Sequence, residues 1–365
     1  QILQTVARKV RHMENGIIAK KKKSTIITIA DELGVSPSTV SRAFNPKSKI
    51  SNEARQRILQ CAKRQNYVPN RTASRLSMRE INIGVVYTSF YELASDEFAK
   101  GIRDAYRELF DLKINLEFET LNYTTRTSDN LREILSRWEN FDGVIVSGLS
   151  DPDELAILNR YAKINRNIVL LQADIPEVDK LFVSCHDPAV SSRMAAEFIA
   201  DCLKYSPRKD VVIFTGERRT GLHTEANDVF IRAAEELGLN VVGSFDMKDS
   251  PEMLKWQLYE MYVKQGMRPS GVYITSGKSI ELCKFIKENE LSERTVLVTF
   301  DVYPELNEYL KSGVITATIY QNLYKQAKNA FINLVKYVIG QIDVGNFISP
   351  APELVLKSNL DFYIR

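Results

Sequence analysis

The chain has 365 residues, 44% hydrophobic and 26% charged, enough for two or three domains with packed cores. No apolar run reaches the roughly 18 residues of a membrane-spanning helix, and the N-terminal stretch lacks a signal peptide's apolar core and cleavage site. The four cysteines, Cys61, Cys185, Cys202 and Cys283, form no C-x-x-C pair; neither a membrane-spanning helix, a disulfide framework nor a zinc site is suggested, and cytoplasmic residence is expected.

Charge is unevenly placed. Residues 1–80 hold 17 Lys and Arg against 5 Asp and Glu, whereas the remainder holds 32 against 41. A basic part that can displace counterions from phosphates thus precedes an acidic part that phosphates would repel. In residues 1–24, Leu3, Val6, Val10, Met13 and Ile17 step by three and four, the pattern of a short amphipathic helix, before the basic run Lys20 to Lys23. The segment is expected to be a disordered basic arm, with Met13 as a candidate start.

Thr28 to Asn45 predicts two short helices joined by a tight turn. Ile29, Ala30 and Leu33 give the first an apolar face, and Gly34 stands where it must stop, because glycine enters positive φ without steric cost. Ser36 can cap the second helix and Pro37 fits its first turn. Val40, Ala43 and Phe44 would be buried, leaving Ser38, Thr39, Ser41, Arg42 and Asn45 outward. Short hydroxyl and amide groups with one guanidinium suit base edges and phosphates, as on the second helix of a helix-turn-helix. Ser51, an N-cap, opens a third helix with the stripe Ala54, Ile58, Cys61 and Ala62, closed by Tyr67, Val68 and Pro69. Asn70 to Arg79 is helix-capable but too short to stand alone. Its Leu76 has nothing local to pack on; a minor groove, wedged open while arginines hold phosphates, is a suitable partner.

Thr25-Ile-x-x-Ile-Ala, Gly34-Val-Ser-Pro-Ser-Thr-Val-Ser-Arg, Asn45, Tyr67-x-Pro-Asn70 and Ala73-x-x-Leu76 together make residues 25–79 resemble the DNA-binding headpiece of the LacI/GalR family of bacterial transcription regulators. The resemblance implies a homodimer, or a higher assembly, reading a near-palindromic operator in double-stranded DNA. Each headpiece would contribute Thr25, Ser36, Pro37, Ser38, Thr39, Ser41, Arg42, Asn45, Tyr67 and Asn70. Pro37 and Ser38 would vary with operator sequence and Arg42 would meet a guanine. Asn45, Tyr67 and Asn70 would hold the backbone, and paired hinge helices over 70–79 would carry Ala73 and Leu76 into the minor groove.

From Ile81 onward, apolar runs alternate with helical stretches. Strands are expected over 81–87, 113–121, 141–147, 167–172, 210–216, 241–245, 271–275, 295–300 and 315–319. Helices are expected over 92–110, 127–138, 187–204, 223–237, 251–265 and 279–290. Continuous apolar strands between helices predict parallel sheets covered on both faces, and about 285 residues suit two lobes rather than one. Order and lengths resemble the periplasmic-binding-protein-like sensor domain of the same family. The expected fold class is therefore a small all-α helix-turn-helix headpiece with a hinge helix, followed by a two-lobed α/β sensor. The chain would cross between lobes near 185, 318 and 345, so lobe 1 takes 80–185 and 319–344, and lobe 2 takes 186–318 and 345–365.

Ligands of open α/β sheets bind beyond the carboxyl ends of strands. That rule selects Tyr87, Phe90, Tyr91 and Asp174, with Thr88 and Ser147, from the first lobe, and Arg219, Thr275, Ser276 and Asp301 from the second, with Gln321 at the crossing. Aromatic faces beside carboxylates, amides and hydroxyls suit a small polar effector of sugar type. Family resemblance assigns sugar-binding roles to Asp301 in Phe300-Asp301 and to Gln321 in Thr318-Ile-Tyr-Gln321. It also exposes a departure: Ala226 stands where the family usually has a sugar-gripping arginine, leaving Arg218, Arg219 or His223 as substitutes. Asp187 is expected to cap the following helix rather than touch ligand.

No nucleotide-binding glycine motif, phosphate-binding loop or nucleophile elbow occurs. An α/β enzyme or a solute-binding protein is the alternative reading, disfavoured by that lack and by the headpiece. No catalytic residue, metal site or cofactor is expected. Repression is the expected sense, with activation, and inducer against corepressor, left open.

Overall fold

The computed structural model describes residues 25–44, 48–65, 67, 79–89, 92–122, 125–149, 151–218 and 221–364. The expected arm over 1–24 and the hinge over 70–78 lie outside them, as do Asn45, Phe90, Tyr91 and Arg219. The chain divides into two units, Gln1–Arg79 and Glu80–Arg365.

The first unit is built of α1 (Ile26–Leu33), α2 (Pro37–Ala43) and α3 (Asn52–Arg64). Thr25 and Thr28 form a reciprocal capping box at the start of α1, and Gly34 ends it at φ 64°, its amide donating to Ala30 and Asp31 carbonyls. Ser36 and Ser51 cap α2 and α3 by accepting from the Thr39 and Ala54 amides at 3.1 and 3.2 Å. Ile29, Ala30, Val40, Ala43, Ile58, Cys61 and Ala62 meet in one small core, with Leu33, Phe44 and Tyr67 packed on its edge. The Arg55 guanidinium donates to the Ala43 and Ser48 carbonyls, both at 2.9 Å, and so ties the end of α2 to α3.

The second unit holds two six-stranded sheets. The first is built from β1 (Ile81–Ser89), β2 (Ile114–Asn122), β3 (Gly143–Ser147), β4 (Ile168–Leu171), β5 (Phe182–Ser184) and a late strand, β11 (Phe347–Ile348), in the order β11-β5-β4-β3-β1-β2. The second uses β6 (Asp210–Thr215), β7 (Asn240–Asp246), β8 (Gly271–Ile274), β9 (Val296–Phe300), β10 (Ala317–Tyr320) and β12 (Glu353–Val355), ordered β12-β10-β9-β8-β6-β7. Every pairing is parallel except β10 with β12. Buried strands β3, β4 and β8 read as unbroken apolar runs because helices cover both faces.

Those helices are α4 (Glu92–Glu108), α5 (Ser128–Arg137), α6 (Pro152–Ala162), α7 (Pro188–Cys202), α8 (Leu222–Glu236), α9 (Pro251–Leu258), α10 (Ile280–Glu288), α11 (Pro304–Lys311) and α12 (Leu323–Val338). The helix expected over 251–265 changes at Tyr259 into a π-helical turn, Tyr259–Lys264. Gly84 lies under Trp138; a Cβ there would come within 2.4 Å of the indole. The Trp138 Nε1–H donates to Glu117 at 2.7 Å. Arg126 and Glu154, both nearly buried, pair at 2.9 Å, and Arg126 also donates to the Gly148 carbonyl at 2.7 Å. A charge left alone there would be costly, which fixes the β3–α6 loop.

Two of the expected lobe boundaries move. β10 pairs with β9, so Ile319 and Tyr320 belong to the second sheet, and the chain turns toward the first lobe only at Gln321 and Asn322. β11 pairs with β5, so residues 347–348 extend the first sheet and the final crossing falls at 349–352. The last position is set by β11, a two-residue edge strand invisible to hydrophobic periodicity. α12 packs on α4, β3, β4 and β5, on the first lobe.

Candidate functional site

In the first unit, Pro37, Ser38, Ser41 and Arg42 are exposed on α2 while Val40 and Ala43 face the core. Thr39 is half-buried, and its hydroxyl and that of Ser38 lie 2.8 and 2.7 Å from the Ser36 hydroxyl. Ser36 and Thr25 are exposed, with their side chains engaged in capping. Tyr67 sits half-buried beside Phe44, ring centroids 5.6 Å apart. One outer helix face thus carries hydroxyls and a guanidinium on a braced three-helix base.

In the second unit, a cavity of about 890 Å³ opens at the carboxyl ends of the strands. Tyr87, Thr275, Ser276, Asp301 and Gln321 line it. Tyr87 is buried and stacked on Phe98 at 4.2 Å, so it forms floor rather than rim. The side chains follow from strand topology: β1 beside β3, and β6 beside β8, are the points where strand order reverses and a crevice forms.

Asp301 anchors the centre. It adopts φ 64° just after β9, at a cost of roughly 1–2 kcal/mol for a residue with a Cβ. Its carbonyl accepts from Thr318 Oγ1 at 2.6 Å, and its amide donates to the Ile319 carbonyl at 2.8 Å. Its carboxylate accepts from Gln321 Nε2 at 2.6 Å, the Gln321 amide at 3.2 Å and Tyr303 Oη at 3.1 Å. Burial raises its pKa to about 6 despite those donors.

Five further polar side chains face the cavity. Gln172, at φ 71° beyond β4, accepts from Ser147 Oγ at 2.5 Å. His223, at the start of α8, has Nδ1 2.8 Å from Thr275 Oγ1 and Nε2 4.0 Å from Asp249. Asp249 accepts from Ser276 Oγ at 2.6 Å and from the Glu217 amide at 3.0 Å. Gly216 makes this approach possible, because a Cβ there would lie 2.3 Å from His223 Nε2 and 2.6 Å from Asp249. His186 sits against the Phe300 ring, centroids 5.1 Å apart. Burial holds His186 near pKa 4 and also lowers His223, so both rings are neutral at pH 7. Glu97 on α4 accepts from Tyr320 Oη at 3.0 and 3.1 Å, joining the first lobe to the second; burial, with help from Asp301, lifts its pKa to about 7.

Two sequence profiles match this architecture: bacterial regulatory proteins of the lacI family over residues 25–70, and the periplasmic binding protein domain over 83–342. The chain belongs to the lacI family. This lacI-family chain is 29% identical to the probable HTH-type transcriptional repressor ExuR of Bacillus subtilis, over 53% of its own length and 54% of the relative. It is 23% identical to the ribose operon repressor of Bacillus subtilis, over 84% of itself and 89% of that protein. It therefore spans about half the length of some curated relatives and most of another. The lac repressor dimer bound to operator and an anti-inducer shares the fold, with TM-score 0.59 and 16% identity over 92% of this chain and 98% of that one.

Against the expected ligand set of a lacI-family sensor, Asp174 is a correction. The chain turns at Gln172, and Asp174 pairs with Lys180 at 2.6 Å, half-exposed and off the cavity wall. Arg218 is also turned away; it donates to Thr215 Oγ1 at 3.0 Å, Asn227 Oδ1 at 3.1 Å and Ser244 Oγ. Ala226 lines the cavity where the guanidinium was expected, and among the described candidates His223 fills the neighbouring wall. Asp187 caps α7, accepting from the Ala189 and Val190 amides at 2.9 and 3.1 Å. Glu97, Gln172, His186 and Asp249 are additions that the strand-end rule did not select. Among the described residues, no group of His, Cys, Asp and Glu is placed to hold a metal ion, and no helix is long and apolar enough to cross a membrane.

Proposed function

We propose that this protein is a sequence-specific transcriptional repressor that binds a near-palindromic operator as a homodimer and answers to a small sugar-like effector. The observation that carries the reading is the exposed Pro37, Ser38, Ser41 and Arg42 face of α2, borne by a chain whose other unit presents a polar cavity at its strand ends. Arg42 reads a base, with Thr25, Ser36, Thr39, Asn45, Tyr67 and Asn70 on the backbone. Ala73 and Leu76 enter the minor groove from a hinge helix over 70–79. The protein works in the cytoplasm, beside the DNA, without metal, cofactor or catalysis.

Control is by linkage. An effector that prefers the lobe arrangement hostile to the hinge weakens DNA binding, and DNA weakens the effector by the same factor. The test is selection of bound duplexes from a random pool, followed by footprinting. Recovery of a near-palindrome with two protected half-sites is expected. Retention that is independent of sequence overturns the reading.

A further inference from the structure

The cavity lacks the expected guanidinium at Ala226, and what stands near it is chemically different. His186 is 9% exposed, lines the cavity, and its Nδ1 has no hydrogen-bond partner among the described residues. A buried imidazole nitrogen left without a partner is costly, and a ligand hydroxyl can satisfy it. His223 stands on the same cavity wall with Thr275 and Asp249. Seven carboxylates of the described residues line the cavity, among them Glu97, Glu217, Asp249 and Asp301, the last with φ in the left-handed region and buried. Against them stand four lysines, Lys100, Lys248, Lys278 and Lys325, the last paired with Glu353 at 2.8 Å, so carboxylates outnumber lysines along the described walls.

Resting on the proposed function, we infer that the cleft takes a polyol with no anionic group, a neutral or amino sugar, whose hydroxyls are gripped by His186 and His223 where the family uses arginine. Each hydroxyl can donate to a carboxylate and accept from an imidazole N–H, so the set pairs both halves of the group. Neutral rings offer a phosphate or a sugar carboxylate no compensating charge, while Asp301 and Asp249 repel it. An amine, by contrast, would find the carboxylates of Asp249 and Asp301.

The test is a thermal-shift and calorimetric comparison of matched probes on the full chain: glucose, galactose, ribose and myo-inositol; glucosamine and galactosamine; glucuronate, galacturonate, glucose 6-phosphate and ribose 5-phosphate. A neutral or amino member is expected to stabilise the protein and to bind at least about tenfold tighter than its anionic counterpart. His186→Gln and His223→Gln should each weaken that member by about tenfold or more while Asp174→Asn leaves it unchanged. A uronate or phosphate as the tightest probe, or no shift from any neutral or amino member, overturns the inference. Operator binding separates this from the parent reading. Sequence-selective DNA binding released by a sugar phosphate sinks only the ligand class, whereas neutral-sugar binding by a chain that selects no operator sinks only the repressor.

Discussion

Replacing Glu97 by Gln tests the electrostatics of the cleft. Glu97 lies on the first lobe, accepts from Tyr320 on the second, and keeps its proton up to about pH 7 against an ordinary 4.5, chiefly because it is buried. The folded state therefore holds a proton that the unfolded chain releases between pH 4.5 and 7, and stability contributed by this residue falls as pH rises through that window. Below it the carboxyl is protonated in both states and nothing is lost; above it the loss is full, about 3 kcal/mol. Gln retains an acceptor for Tyr320 and carries no charge. The variant should gain about 2–3 kcal/mol over the parent between pH 5 and pH 8.5. For a unit of this size that is a rise of roughly 5–10 °C in melting temperature at alkaline pH. Urea unfolding followed by the fluorescence of buried Trp138 measures it. Taking the difference between variant and parent removes most of the titration shared by both proteins, notably of His186 and Asp301. A difference that does not change with pH, or that grows toward acid, refutes the reasoning.

Gly84→Ala should cost about 1–3 kcal/mol, because the new methyl meets the Trp138 ring at 2.4 Å, and the indole emission should shift with it. Ile29→Ala removes a fully buried member of the small three-helix core and should cost about 2–5 kcal/mol, abolishing DNA binding while the unfolding of residues 80–365 stays where it was. Arg126→Ala leaves Glu154 buried without its partner and should destabilise the first lobe by about 3–5 kcal/mol in chemical unfolding. Leu76→Ala should weaken operator binding and bending with the circular dichroism unchanged. The parent's affinity should fall steeply with added salt, since the basic headpiece displaces counterions.

What could be read beforehand follows from length and burial. β1, β3, β4, β6, β8 and β9 are apolar runs with both faces covered, and their composition alone marks them. β5, β11 and β12 are two or three residues long and hold their place only by pairing, so no pattern announces them. α12 lies outside the expected helices, although its burial of Leu323, Ala327, Phe331 and Leu334 is periodic. In the cleft, Thr275, Ser276, Asp301 and Gln321 were legible because they follow strand ends. Gln172 and Asp249 reach the cavity through left-handed turns at residues that are not glycine, φ 71° and 51°, which side-chain chemistry does not advertise. Glu97 comes from a helix face whose partner, Tyr320, is 223 residues away in sequence.

Gln321 occupies an unusual station. It is the residue at which the chain leaves β10 for α12, and Asn322 beside it turns through φ 59°. Its amide group holds Asp301 on one side, and on the other Gln326 Nε2 donates to its carbonyl at 2.9 Å. Gln326 in turn accepts, at its own carbonyl, from Ser184 Oγ of the first sheet at 2.9 Å. A residue that faces the cavity is thus also a pin in the pivot between the two halves. An occupant that pulls on this amide would exert torque directly where the lobes turn, so detection and leverage would share one peptide, with no relay through the protein interior.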